Sequence, residues 1–425
     1  MKEKSVKRPM IKANKRLYLI VALILLITTS FNLNAVTDQG VTEETKSIIE
    51  IPADYTCINC HTALTGGEKI EDLDPEVIRL YQPIVDWEQS VHREVGVFCV
   101  DCHGGDPKNE EFAKDEAKGF IGKPAKKDIS KLCADCHSNP DLMKSTYSST
   151  LRTDQVSLFE KSVHGKKVAE GDLDSATCVS CHSQHKILRK TDPNALNNRQ
   201  NISETCASCH SDKKIFEPRN IRTDQFELYT KSWHYNKFLE GNNIVPTCFD
   251  CHSNHEITPA KSVTTQESCF SCHTESVNNL KSGPHWTSYK GDKNQPICKD
   301  CHGNHDLLKS STEQFTGESS QDCVGCHTKN SPAYKAGLTI QASVTAATDA
   351  IDHSKEGIES LHSSHSGFVT LDLEKTTKQS EEDIIALASL THSLNLEQIE
   401  AESKRIVEQN SAVSLKVDDY FNRSK

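Results

Sequence analysis

The sequence predicts a mainly α chain with extensive loops, little regular sheet and a separate helical region at its C-terminal end. Three observations carry that reading. Hydrophobic residues make up 35% of the 425 positions, short of the near-half apolar usage of ordinary domains, so side chains alone do not fill the interior expected at this length. Where apolar residues do occur, they recur at helical spacing in short stretches, divided by runs of Gly, Asn, Asp, Ser and Pro that break regular structure. From about residue 331 the cysteines stop, and alanine, serine, leucine and acidic residues take over.

At the N-terminus, Lys2, Lys4, Lys7, Arg8, Lys12, Lys15 and Arg16 precede an apolar stretch of 13 residues from Leu17 to Thr29, and Ala35 offers a small residue for cleavage. That is the pattern of a signal peptide over residues 1–35. The alternative, a retained anchor, needs about 20 apolar residues, which this stretch lacks. No other segment reads as a membrane span, so the mature chain is expected to be periplasmic or otherwise exported. The formal net charge of −11 still includes the basic leader, so the remainder is more acidic and nucleic acid is not an expected partner.

All 18 cysteines fall into nine copies of one pattern, Cys-x-x-Cys-His. The pairs are Cys57 and Cys60, Cys99 and Cys102, Cys133 and Cys136, Cys178 and Cys181, Cys206 and Cys209, Cys248 and Cys251, Cys269 and Cys272, Cys298 and Cys301, and Cys323 and Cys326. The histidines that follow are His61, His103, His137, His182, His210, His252, His273, His302 and His327. This is the attachment signal for c-type haem: two thiols form thioethers to the vinyl groups, and the next imidazole binds the iron. Structural zinc and a disulfide framework are the rivals, and neither requires histidine after every second cysteine. Nine covalent haems are therefore expected, and they supply the missing apolar interior.

The second axial ligand separates electron transfer from catalysis. Past the leader the only methionine is Met143, read as packing. Eleven histidines lie outside the motifs, enough for nine distal ligands. His164, His234 and His285 stand 14, 14 and 13 residues ahead of a motif, and His92 stands seven ahead. His185, His255 and His305 each follow a motif histidine by three, too close to reach the far face of their own haem, and so are expected to bind the iron of a neighbour. With His392 these are the candidate distal ligands. One of His353, His362 and His365 would complete the set. The haems at Cys57–His61 and Cys99–His103 are expected to lack a local sixth ligand: either the C-terminal helices fold back to supply one, His392 being the candidate, or an iron stays open to solvent and small molecules.

Residues 151–185 and 221–255 align at an offset of 70 with 17 of 35 positions identical, enough to mark a repeat rather than chance. The unit is a leading histidine, a motif with a trailing histidine, then a second motif. Four units span about 86–150, 151–220, 221–280 and 281–330 within a haem domain of 36–330, and Cys57–His61 stands in front. In the first unit Asp106 occupies the trailing position. Asp154 and Asp224 read as N-caps of short helices that present His164 and His234 at their ends. The stretch 104–130 reads as an exposed insertion. Within 331–425, residues 333–365 and 380–412 read as two long helices, with Ile384, Leu387, Leu394 and Ile406 on or near one face of the second.

The motifs from 57 to 327 resemble the multihaem cytochrome c superfamily, in its doubled-motif branch of exported electron-transfer proteins. Octahaem hydroxylamine oxidoreductases and cytochrome c nitrite reductases are similar in carrying long helices after their haems. The resemblance implies closely stacked haem pairs forming a wire. It also marks departures: all nine motifs keep histidine where those nitrite reductases place lysine, and Tyr289 and Tyr334 lack the context of a cross-linked tyrosine. Membrane-anchored tetrahaem quinol dehydrogenases keep their N-terminal helix, which is short here. The expected function is electron relay through bis-histidine haems between other redox proteins or a membrane quinol-linked complex. The alternative is a reductase acting on a small nitrogen or sulfur oxyanion at one five-coordinate haem.

Overall fold

Four of the cysteine motifs form one-turn helices for a local reason. In Cys99–His103, Cys178–His182, Cys248–His252 and Cys298–His302, the residue before the second cysteine is Asp101, Ser180, Asp250 or Asp300. Its side chain accepts the N–H of the residue ahead of the motif, from Phe98 at 2.7 Å, Thr177 at 3.1 Å, Thr247 at 2.7 Å and Ile297 at 2.9 Å. That closes the first turn as an N-cap would. The computed structural model describes residues 49–258, 268–288, 296–307, 311–317, 321–364 and 370–423, and among them the elements are helices and turns with no strand. The expected signal peptide lies outside the described residues, and no described helix is long and apolar enough to cross a membrane.

These four helices also stop in the same way. The residue after the motif histidine has positive φ in each: Gly104 at 66°, Ser183 at 69°, Ser253 at 66° and Gly303 at 74°. At Gly104 a Cβ would stand 2.0 Å from the carbonyl oxygen of Gly119, so glycine is required there. The stretch 104–130 is largely exposed, as expected, and its backbone is bonded to the motif it follows. The Ile121 N–H donates to His103 O at 2.9 Å.

The leading histidines sit one helix later than the sequence suggests. Asp154 and Asp224 make no capping bond, because their carboxylates are taken by Arg152 and Arg222. The helices Gln155–Lys161 and Gln225–Lys231 then end at buried serines that cap new helices, Val163–Ala169 and Trp233–Leu239. Ser162 Oγ accepts from Gly165 N at 3.0 Å, Ser232 Oγ from Tyr235 N at 3.1 Å, and Ser90 Oγ from His92 N at 3.2 Å in the first unit. His92, His164 and His234 therefore occupy the first turn of a capped helix.

Backbone straps bind each unit to the next. The N–H groups of Val91, Val163 and Trp233, each just before a leading histidine, donate to Ile187 O, Ile257 O and Leu307 O at 2.9, 3.0 and 2.7 Å. Those carbonyls lie two residues past the trailing histidines of the following unit. In the last unit the equivalent donor position is Pro284, which has no N–H to offer.

The C-terminal region holds three helices where two were expected: Pro332–Ser364, Leu371–Leu390 and Leu396–Arg423. The break at Thr391–Ser393, with Leu394 at φ 54°, divides the expected second helix. Ile340, Leu361, Leu387, Ile399 and Ile406 are fully buried. A polar layer crosses this core, where buried Asn410 donates to Ser380 Oγ at 2.9 Å and Ser354 Oγ donates to Asn410 O at 3.0 Å. The bundle meets the array through Phe315, packed on its core, and through a 3.0 Å contact between Ser276 Oγ and Ser389 Oγ.

Candidate haem-binding array

Eight of the nine motif histidines face a second histidine at one common spacing. Ring centres are 6.2 Å apart for His92 and His137, His103 and His185, His182 and His255, and His234 and His273. They are 6.1 Å apart for His164 and His210, and 6.0 Å for His252 and His305, His285 and His327, and His302 and His392. Two imidazoles binding one metal from opposite sides, at about 2 Å per bond, put their ring centres about 6 Å apart. The same rings are too distant for a direct hydrogen bond of ordinary length.

The pairing follows a stagger. A leading histidine faces the second motif of its own unit: His92 with His137, His164 with His210, His234 with His273, His285 with His327. A trailing histidine faces the first motif of the unit before it: His185 with His103, His255 with His182, His305 with His252. The straps explain this, since they hold each trailing segment against the preceding unit's leading helix. Two expectations are corrected. The motif at Cys99–His103 does have a facing histidine, and His392 faces His302 rather than either of the first two motifs. No unit follows the fourth, so the bundle fills the vacancy. Gly283 lets it approach, because a Cβ there would meet His392 O and Ser393 O at 2.9 Å.

Hydrogen bonds set which ring nitrogen is available. His61 Nδ1–H donates to Leu80 O at 2.7 Å, His103 Nδ1–H to Gly122 O at 2.7 Å, and His392 Nδ1–H to Ser389 O at 3.0 Å. The amide of Asn197 lies 3.2 Å from His182 Nδ1. In His61, His103 and His392, donating Nδ1–H to a carbonyl leaves Nε2 to ligate and fixes the ring. Burial pushes His92, His137, His182, His185, His210, His234, His252, His255, His285, His302 and His305 below the usual histidine range, and His164 down to about 4. These rings are neutral at pH 7, as a metal ligand must be.

No two cysteines are joined in a disulfide, and their side chains form a continuous path. Side chains come together most closely at Cys57 and Cys99, Cys133 and Cys178, Cys206 and Cys248, and Cys269 and Cys298. Between those contacts Cys102 and Cys136, Cys181 and Cys209, Cys251 and Cys269, and Cys301 and Cys323 are close enough to interact electrostatically. Every motif is thereby joined to the next one in sequence, from first to ninth. The tightest thiol contacts fall between units rather than within them.

The donor set fits haem and not structural zinc. Among the described residues no three His, Cys, Asp or Glu side chains gather as a metal cluster. A tetrahedral site needs four such ligands converging. Met143 is buried in packing, as expected. His362 Nε2 binds Thr370 Oγ1 at 2.5 Å and Glu374 at 3.2 Å, and His353 is exposed. His365 and Tyr289 lie outside the described residues. The carbonyls of Leu80 and Gly122 gave no sequence signal, because any residue carries one. Pro284, by contrast, was legible as the missing donor once the straps are known.

A family model described as cytochrome c3 matches residues 91–211, from the leading helix of the first unit through the second motif of the second, four motifs in all. No curated protein and no solved structure matches the chain.

Proposed function

We propose that this chain, a multihaem c-type cytochrome, carries nine haems and passes electrons along them in sequence order, between redox partners outside the cytoplasm. The observation that carries the reading is the set of eight facing imidazole pairs at 6.0 to 6.2 Å. In this reading each Cys-x-x-Cys pair holds one haem by two thioethers, and the following histidine is its proximal ligand. His92, His164, His185, His234, His255, His285, His305 and His392 are the distal ligands. Haem bound there supplies one-electron chemistry.

The protein's own part is to keep eight irons closed. A six-coordinate iron has no vacant position for substrate, which suits transfer over turnover. The thiol contacts between consecutive motifs support a single path, with Cys57–His61 at one end and Cys323–His327 at the other. Export, with cleavage after Ala35, fits the chemistry because free thiols and haem meet outside the membrane. Acidic character favours partners with basic docking faces, whether soluble redox proteins or a membrane quinol-linked complex.

Intact mass decides the main claim. Nine haem increments per chain, retained through acid and organic solvent, are expected, and seven or fewer overturn the reading. His164→Ala and His234→Ala should each keep all nine haems and convert one low-spin iron to high-spin in low-temperature paramagnetic resonance. An unchanged spectrum in both removes the distal assignment.

A further inference from the structure

The stagger leaves one motif unanswered. Among the described residues no histidine ring faces His61, although its Nδ1–H is held by Leu80 O at 2.7 Å in the manner of His103. His61 is also the first histidine of the sequence. By the rule that a trailing residue covers the first motif of the preceding unit, the partner for His61 is the trailing residue of the first unit. That residue is Asp106.

The backbone puts it there. The Thr56 N–H, one residue before Cys57, donates to Pro107 O at 2.7 Å, which ties the residue next to Asp106 directly to the start of the first motif, at a different position from the straps of the later units. Asp106 is itself held on both sides: its N–H donates to Phe112 O at 3.2 Å, and its Oδ1 accepts from Lys108 N at 3.0 Å. It is half-buried, as is His61. Gly104 and Gly105 permit this fold, because a Cβ at either would stand within 2.1 Å of a backbone oxygen of the same loop. The first unit is therefore not a decayed copy with a stray aspartate. Its trailing segment is built and strapped, and carries a carboxylate in place of an imidazole.

We propose that the haem position at Cys57–Cys60–His61 is a binding site for a small neutral ligand bearing an N–H or O–H, received on its distal side by Asp106. This rests on the haem-relay reading above. A fixed carboxylate beside an open metal position accepts a hydrogen bond from such a ligand and repels anions. Hydroxylamine and imidazole fit that description, and nitrite does not. The site stands at one end of the path of motifs, where a small donor or acceptor could meet it without displacing a histidine.

The holoprotein tests this spectroscopically. One high-spin haem per chain is expected, binding carbon monoxide when reduced, and binding hydroxylamine or imidazole in preference to nitrite. Asp106→His restores the repeat's own residue and should turn that iron low-spin and abolish carbon monoxide binding. Asp106→Asn keeps the shape without the charge and should raise nitrite affinity about tenfold or more. A wild-type protein with nine low-spin haems overturns the proposal and leaves the relay intact, as does an open iron indifferent to both variants. A chain that carries eight haems and lacks the one at Cys57 overturns this proposal without overturning the relay, and intact mass distinguishes that case.

Discussion

The array of motifs and the C-terminal bundle lie in one chain but are built on different interiors. In the bundle, aliphatic side chains including Ile340, Leu361, Leu373, Leu387, Ile399 and Ile406 reach zero or near-zero exposure and pack in continuous clusters across three long helices. In the array, helices run from one to a few turns, and buried apolar side chains such as Val156, Val168 and Phe238 are scattered. What converges there instead is pairs of imidazoles set about a haem's thickness apart. An amphipathic stripe buries itself against another stripe, whereas in the proposed reading the array buries itself against haem and so needs ligands and caps more than aliphatic bulk.

The largest effect should come from withholding haem. Full-length protein made where attachment cannot occur should lose protease resistance throughout 49–330, while 332–423 survives as a helical fragment identifiable by mass. If both regions resist equally, the array has an interior of its own and the contrast fails. The bundle is sensitive to the opposite change. Ile406→Ala empties a fully buried site and should destabilise the bundle by about 2 to 5 kcal/mol, read by denaturant titration. Because His392 is carried by this region, the same variant should show partial opening of one haem.

Gly283→Ala probes the joint between the two regions. The added methyl would press on His392 O and Ser393 O at 2.9 Å, costing about 1 to 3 kcal/mol as overpacking does. One low-spin haem, that of Cys298–His302, should become high-spin while the other seven paired haems stay unchanged. A spectrum identical to wild type would mean that His392 is not held by this approach. The smallest effect belongs to the array's own backbone. Ser183 sits at φ 69° and ψ 174°, where the first and last units place glycine. Ser183→Gly should relieve strain of about 1 kcal/mol and raise the melting temperature slightly. A lower melting temperature would show that the serine side chain contributes more than its backbone costs.

Much of this protein was legible without coordinates. The attachment residues follow from a motif whose chemistry is local, since two thiols and an imidazole must lie within five consecutive positions. Seven of the eight distal candidates were also legible, because repetition marks them: a histidine ahead of a motif, as in the Lys-Ser-x-His of His164 and His234, and Cys-His-x-x-His at 181–185, 251–255 and 301–305, whereas His392 lies outside the repeats. The helical character of 331–425 was readable from its composition, although its division at Thr391–Ser393 was not, since that turn interrupts the apolar spacing without a proline or glycine. Which imidazole faces which was a matter for the tertiary structure. His185 belongs with His103 and His392 with His302 because backbone straps and the approach at Gly283 bring distant segments together. Partner choice of that kind depends on contacts between residues as far apart as Gly283 and Ser393, and no local spacing encodes it. The same holds for Asp106: the sequence shows a histidine replaced, and only the strap from Thr56 to Pro107 shows what the replacement stands beside.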